Sequence, residues 1–221
     1  MSEKGILFNT EMVKAIMEGR KTVTRRLIKP KYKGDECGFQ VVTTNEGEFI
    51  RVEKIDENEC GIFADGTERH VNPPYKVGDI LYVRETWWEG DIIGSNDEID
   101  ERGVVLYAAD GYIKENLDYE TIKWRPSIHM PKKYSRIFLR VINVRAERLQ
   151  DITTEEILKE GVIQRFPNVN DEYTPDVLRG GFIGLWNSTI KDSDYNNYSY
   201  KANPWVWVIE FERIETRGND L

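Results

Sequence analysis

Gly19-Arg20-Lys21-Thr22-Val23-Thr24-Arg25-Arg26 stands directly after the first helical pattern of the chain. It carries four cations, two hydroxyls and no acid, and Lys29, Lys31 and Lys33 prolong the basic run. Ahead of it, Gly5 to Asn9 reads as a short strand, and Thr10 is placed to cap a helix whose Val13, Ile16 and Met17 share one face. Gly19 marks the end of that helix, because a glycine accepts the left-handed conformation with which helices close. The stretch 19–26 is therefore expected to be a basic loop leaving a helix C-terminus.

Downstream, short strands are expected over Gln40 to Thr44 and Glu48 to Glu53, joined by a turn at Asn45, Glu46 and Gly47, with Pro73 and Pro74 closing the segment. Val77-Gly78-Asp79 opens a strand from Ile80 to Arg84, after which Glu85, Thr86, Trp87 and Trp88 leave the sheet. Residues 89–103 are acidic and weakly patterned and read as a mobile excursion, followed by a strand at Val104 to Tyr107. Arg136 to Val144 alternates as a long strand, and Asp151 or Thr153 caps a short helix that runs through Glu160 and ends at Gly161. A helix around Leu178, Phe182, Leu185 and Trp186 and a closing strand from Trp205 to Ile214 complete the order. The pattern has no internal repeat and predicts one α+β domain over residues 1–221, with more strand than helix, curled into a small barrel.

A net charge of −8 over 221 residues argues against a protein that coats nucleic acid non-specifically, because neutralising phosphates needs a basic surface. That average hides a segregation. Besides the run from Arg20 to Lys33, residues 121–148 hold Lys123, Arg125, Lys132, Lys133, Arg136, Arg140, Arg145 and Arg148 against Glu147 alone. Two basic segments on an acidic body predict a confined anion site. Cys37 and Cys60 belong to no C-x-x-C pair and are expected as free thiols, and no ligand cluster of standard spacing predicts a metal. No phosphate-cradling glycine loop predicts a cofactor either. No run approaches the roughly 20 apolar residues of a membrane span, and Met1 to Lys4 lack the apolar core of a signal peptide, so a cytoplasmic protein without membrane association is expected. Nothing in the sequence points to an obligate protein partner.

The Gly19 to Arg26 stretch resembles the signature of the ASCH family, whose members have a PUA-like β-barrel. Val77-Gly78-Asp79 with its strand, the strand from Arg136, the helix ending at Gly161 and the strand Trp205 to Arg213 fall in the family's order. Val83-Arg84-Glu85-Thr86-Trp87, the run Trp124 to Pro131 and Asn203-Pro204-Trp205 are similar to the longer ASCH proteins of phages and prophages. The resemblance implies a PUA-like small β-barrel with flanking short helices and two insertions, at about residues 31–73 and 88–135. It further implies RNA or a modified nucleoside or nucleotide as the ligand. Compact members of the family include amidohydrolases that remove the acetyl group of N4-acetylcytidine with a lysine, a threonine and a glutamate. Lys21 and Thr24 match the first two within the motif, and Glu160 matches the third by its place in the family order.

That assignment makes chemical sense. Amide hydrolysis needs a nucleophile, a base and an oxyanion donor, which Thr24, Lys21 and Arg26 supply in that order. Lys21 serves as a base only when uncharged; its cationic neighbours Arg20, Arg25 and Arg26 favour the neutral amine, while Glu160 opposes them. Arg20, Arg25 and Arg26 are candidate phosphate contacts. Trp87, Trp88 and Trp124 are candidate stacking planes at a pocket rim, whereas Trp186, Trp205 and Trp207 are expected in the core or the barrel wall. Arg84 and Glu85, at a strand end, are candidate contacts to a phosphate or carbonyl and to an exocyclic amine. Arg125, Ser127 and His129 share one side of an extended segment and are further candidates. Two alternatives stay open beside the hydrolase: a ribonuclease, which would expose a groove, and an RNA- or nucleotide-binding phage regulator without catalysis.

Overall fold

The computed structural model describes residues 2–29, 38–43, 49–55, 70–93, 99–111, 122–162 and 174–215. Ten strands are described: β1 (Glu3–Leu7), β2 (Val23–Leu27), β3 (Gly38–Thr43), β4 (Phe49–Ile55), β5 (His70–Val71), β6 (Ile80–Arg84), β7 (Trp87–Ile93), β8 (Ile99–Tyr107), β9 (Phe138–Arg148) and β10 (Trp205–Ile214). Helices α1 (Thr10–Met17), α2 (Thr154–Lys159) and α3 (Pro175–Ser188) accompany them. The fold is α+β. Five strands form a sheet in the order β1-β6-β9-β10-β2, β3 to β5 form a second sheet, and β7 with β8 a third. The five-stranded sheet has β1 and β2 as its edges, so no closed barrel is found among the described residues.

The chain divides into two compact units, one of Met1–Thr22, Gly78–Arg140 and Glu212–Leu221 and the other of Val23–Val77 and Val141–Phe211. In the first unit β1 runs parallel to β6, Glu3 opposite Ile80 and Leu7 opposite Arg84, and β6 pairs antiparallel with β9. Their alternation buries Ile6, Leu81, Val83 and Leu139 together with Val13 and Ile16 of α1. Asp79, in the turn before β6, accepts from the Ser2 hydroxyl at 2.7 Å and from the Lys4 ammonium at 2.8 Å, which ties the start of β1 to that turn.

The cap of α1 is Asn9, whose side chain accepts from the Met12 amide, so Thr10 is the first helical residue and not the cap. The helix closes with the Gly19 amide donating to the Ile16 carbonyl and the Arg20 amide to Ala15, with Gly19 at φ 74°. Both bonds together form a Schellman motif, which satisfies carbonyls the helix end would leave orphaned. The Lys21 amide also donates to Ala15, so the helix end anchors the backbone of this lysine. Met17 lies on the surface and outside the face that Val13 and Ile16 bury.

Residues 89–93 and 99–103, expected as part of an excursion, are hairpin strands: β7 and β8 pair antiparallel with Trp87 opposite Tyr107. The acidic composition hid apolar Ile92, which β7 buries in the core.

In the second unit, β10 pairs antiparallel with β2, Ile209 opposite Thr24 and Val208 opposite Arg25. Val23, Leu149, Ile157, Phe182, Val206 and Val208 are the centre of its core. Thr153 caps α2 through a full capping box: its hydroxyl accepts from the Glu156 amide and the Glu156 carboxylate accepts from the Thr153 amide. Gly161, at φ 79°, ends the helix immediately after Glu160, where the sequence placed the stop. The expected β3–β4 hairpin pairs Val41 with Val52, while its turn at 45–47, Cys37 and Cys60 lie outside the described residues.

Candidate functional site

The stretch 19–26 is not one loop. Only Gly19 to Thr22 link α1 to the sheet, and Val23 to Leu27 are strand β2, because Val23, Thr24 and Arg25 are covered on both faces. The β-branched Val23 and Thr24 suit a pleated strand, and pairing with the wholly buried Val206 to Ile209 of β10 draws the arginines in with them.

Lys21 is buried, with 3 % of its surface exposed, and its ammonium lies 5.6 Å from the centre of the Phe8 ring. Thr24 (4 %), Arg25 (4 %) and Glu160 (5 %) are buried in the second unit. Alternation along β2 puts Thr24 and Arg26 on one face and Arg25 on the other.

Arg25 lies at the centre of a carboxylate cluster. Its Nε and Nη2 donate to Glu147 at 3.0 and 2.6 Å, Nη2 also to Glu156 at 2.9 Å, and Nη1 to Glu160 at 3.2 Å. Arg145 completes the network by pairing with Glu147, Glu156 and Glu210. Burial pulls the Arg25 pKa down, but Glu160, Glu147 and Glu156 outweigh it and hold the group above its ordinary value. At Arg26 burial wins: desolvation carries it below the ordinary arginine value, against the opposing pull of Tyr75 and Glu160. Glu160 thus acts on both faces of β2, bonding Arg25 and exerting its charge on Arg26.

Arg25, expected as a phosphate contact, is buried and bonds three carboxylates. Sequence reading missed Glu147, Glu156 and Arg145. Two signals pointed to the acids: Glu147 is the lone acid of a basic segment, and Thr153-x-x-Glu156 has the spacing of a capping box.

In the first unit, Arg20 pairs with Glu18. Arg84 spends its guanidinium on backbone, donating to the Met130 carbonyl at 2.9 Å and to the Ile128 carbonyl, which holds the turn Ser127–His129 against β6. Glu85, expected to accept from a ligand amine, is 1 % exposed and takes both of its bonds from Arg136, at 2.9 and 3.0 Å. Arg136 in turn pairs with Asp110 at 2.7 Å and lies 3.9 Å from the Tyr107 ring centre.

Trp87 is 2 % exposed, so it belongs to the core and not to a rim. Its backbone exchanges hydrogen bonds with Arg125, whose guanidinium lies 5.0 Å over its ring, and the Tyr134 ring is 5.1 Å away. Trp88 and Trp124 are half-buried. Ser127 to His129 form a 3-10 turn, which removes the shared side expected of an extended segment; His129 is exposed. A depression of about 490 Å³ is lined by Lys14, Met17, Glu18, Ala109 and Asp110, none of them a residue of the motif. Among the described residues no group of His, Cys, Asp and Glu is arranged to hold a metal ion, and no helix is long and apolar enough to cross a membrane.

No family model matches the chain, and no curated protein matches it in sequence. Among solved structures the chain is similar to the crystal structure of the hypothetical protein PH0355, at 13% identity and a TM-score of 0.34, over 97% of this chain and 100% of that one. It is also similar to a crystal structure of an ASCH domain from Lactobacillus crispatus JV V101, at 9% identity and a TM-score of 0.35, over 96% of this chain and 79% of that one. The second of these is a member of the family that the sequence resembles.

Proposed function

We propose that the chain is an ASCH-type protein that binds RNA or a modified nucleoside and hydrolyses the amide of N4-acetylcytidine-like substrates. One observation carries this reading. Among the described residues the buried polar side chains are Lys21, Thr24, Arg25, Asp79, Glu85, Glu160 and Ser199, and the first three come from one eight-residue motif. Lysine and glutamate are almost never fully buried without a reason, since desolvating a charge is costly. All three residues that the family resemblance marks as catalytic, Lys21, Thr24 and Glu160, are in this small set.

On this reading the Thr24 hydroxyl attacks the acetyl carbonyl while its proton passes to the Lys21 amine, a role open to lysines that burial has stripped of water. Arg26 stabilises the oxyanion, the bond to the exocyclic nitrogen breaks as that nitrogen regains a proton, and water then releases acetate from Thr24. Glu160 is the carboxylate that the family resemblance assigns to the same reaction. The five-stranded sheet is, on the same reading, the counterpart of a PUA-like barrel, with β3 to β5 and β7 to β8 as its insertions. A non-catalytic nucleotide binder is the second reading, favoured by the ion pair between Arg25 and Glu160, because a carboxylate held this way is a poor proton shuttle.

The test is chromatographic hydrolysis of N4-acetylcytidine by the wild type, Lys21→Ala and Thr24→Ala, with a short RNA in parallel. Conversion by the wild type and loss of it in both variants is the expected result. Nucleoside left intact by the wild type overturns the hydrolase; cleaved RNA would then favour the ribonuclease, and intact RNA the binder.

A further inference from the structure

We infer that Arg25 is a positioning residue for the proposed hydrolysis: its guanidinium holds the Glu160 carboxylate in place and makes no contact with substrate. The inference rests on the hydrolase reading above and assigns a role that the motif alone does not. Arg25 is buried, and each of its three nitrogens donates to a carboxylate: Nε and Nη2 are anchored on Glu147 and Glu156, which leaves Nη1 aimed at Glu160 Oε1, 3.2 Å away. Glu147 belongs to β9 and Glu156 to α2, where it also closes the capping box. The guanidinium is therefore fixed from two elements before it meets Glu160 at the end of α2.

A carboxylate at a helix C-terminus faces the negative end of the helix dipole and has no intrinsic reason to remain there. Arg25 supplies that reason. The guanidinium spreads its donors over three nitrogens of a rigid plane, whereas an ammonium carries its donors on one nitrogen at the end of a flexible stem and cannot span the same three carboxylate positions, so lysine is not a conservative replacement here.

Arg145 provides an internal control. Among the described residues its ion pairs are with Glu147, Glu156 and Glu210, so Arg145→Lys weakens the same network without breaking the Arg25–Glu160 bond. The experiment measures kcat, KM and melting temperature for N4-acetylcytidine hydrolysis with the wild type, Arg25→Lys, Arg145→Lys and Glu147→Gln. Displacing a catalytic group by an ångström costs on the order of 100-fold in rate. Arg25→Lys is expected to lose about that factor in kcat with KM unchanged, whereas Arg145→Lys, which leaves the Arg25–Glu160 bond itself in place, lowers the melting temperature and loses kcat to a much smaller extent. Glu147→Gln, which loosens the anchor of the fork while keeping its size, is expected to lose kcat to a smaller extent and serves in place of Arg25→Lys should that variant not fold. Equal losses of kcat in the Arg25 and Arg145 variants, tracking melting temperature, would make the role structural and overturn the inference. A raised KM with unchanged kcat in Arg25→Lys would make it a substrate contact and overturn it as well. An inactive wild type removes the hydrolase reading itself, and the positioning role with it, an outcome distinct from either of these.

Discussion

Replacing Arg136 by methionine strands a charge. Glu85 is 1 % exposed and receives both of its hydrogen bonds from this guanidinium. Burial by itself would lower the Arg136 pKa, but Glu85 and then Asp110 more than compensate and raise it above the ordinary arginine value, so Arg136 is charged across the working pH range. Methionine preserves the packing length and removes the fork, leaving an uncompensated carboxylate in the interior at a cost of about 3 to 5 kcal/mol. Arg136 keeps 27% of its side-chain surface exposed, and water admitted along that side favours the lower end of the range. For a chain of this size the loss corresponds to a fall in melting temperature on the order of 6 to 20 °C. Urea denaturation measures it directly, as a lower midpoint at an unchanged slope. The double variant Glu85→Leu with Arg136→Met removes both charges and is expected to recover most of the loss, although the pairing with Asp110 and the contact with Tyr107 stay broken. A single variant that loses less than about 1 kcal/mol, or a double variant no more stable than the single, would refute the argument that Glu85 depends on Arg136.

Thr153→Ala removes the hydroxyl that accepts from the Glu156 amide and is expected to cost about 1 kcal/mol, read as a melting temperature lower by about 2 to 4 °C. Ile157→Ala empties a fully buried position beside Leu149 and Phe182 and is expected to cost about 2 to 5 kcal/mol in urea denaturation. Tyr107 titrates above its ordinary value of 10.0, chiefly because burial disfavours the phenolate, with Arg136 opposing and Glu85 and Asp110 adding to the shift. Its contribution to stability is therefore complete below the unfolded value and is lost as pH rises from about 10 through the folded value. Stability measured across that window is expected to fall less steeply in Tyr107→Phe than in the wild type; parallel curves would exclude the effect.

Local signals carried well where they depended on neighbours in sequence. The short helix capped at Asp151 or Thr153, its stop at Gly161, the closing strand at Trp205 to Ile214 and the turn before β6 were all legible because each is decided within a few residues. Composition misled at residues 89–103, where acidic residues masked Ile92 and the pairing of β7 with β8. The charged neighbours of Trp87 suggested a rim, yet cation–π contact with Arg125 lets that charge cover a buried ring.

The sequence by itself determined the α+β order of elements, the helix ends and the eight-residue motif with its resemblance to the ASCH family. The tertiary structure decided that the second half of the motif is a strand, that Arg25 bonds three glutamates, and that Glu85 is sealed against Arg136. Arg25 meets Glu147, Glu156 and Glu160 across 122, 131 and 135 residues of chain, and Glu85 meets Arg136 across 51. Periodicity tells which residues share a face of one element. Which charge lies across from that face depends on the register in which distant strands and helices pack.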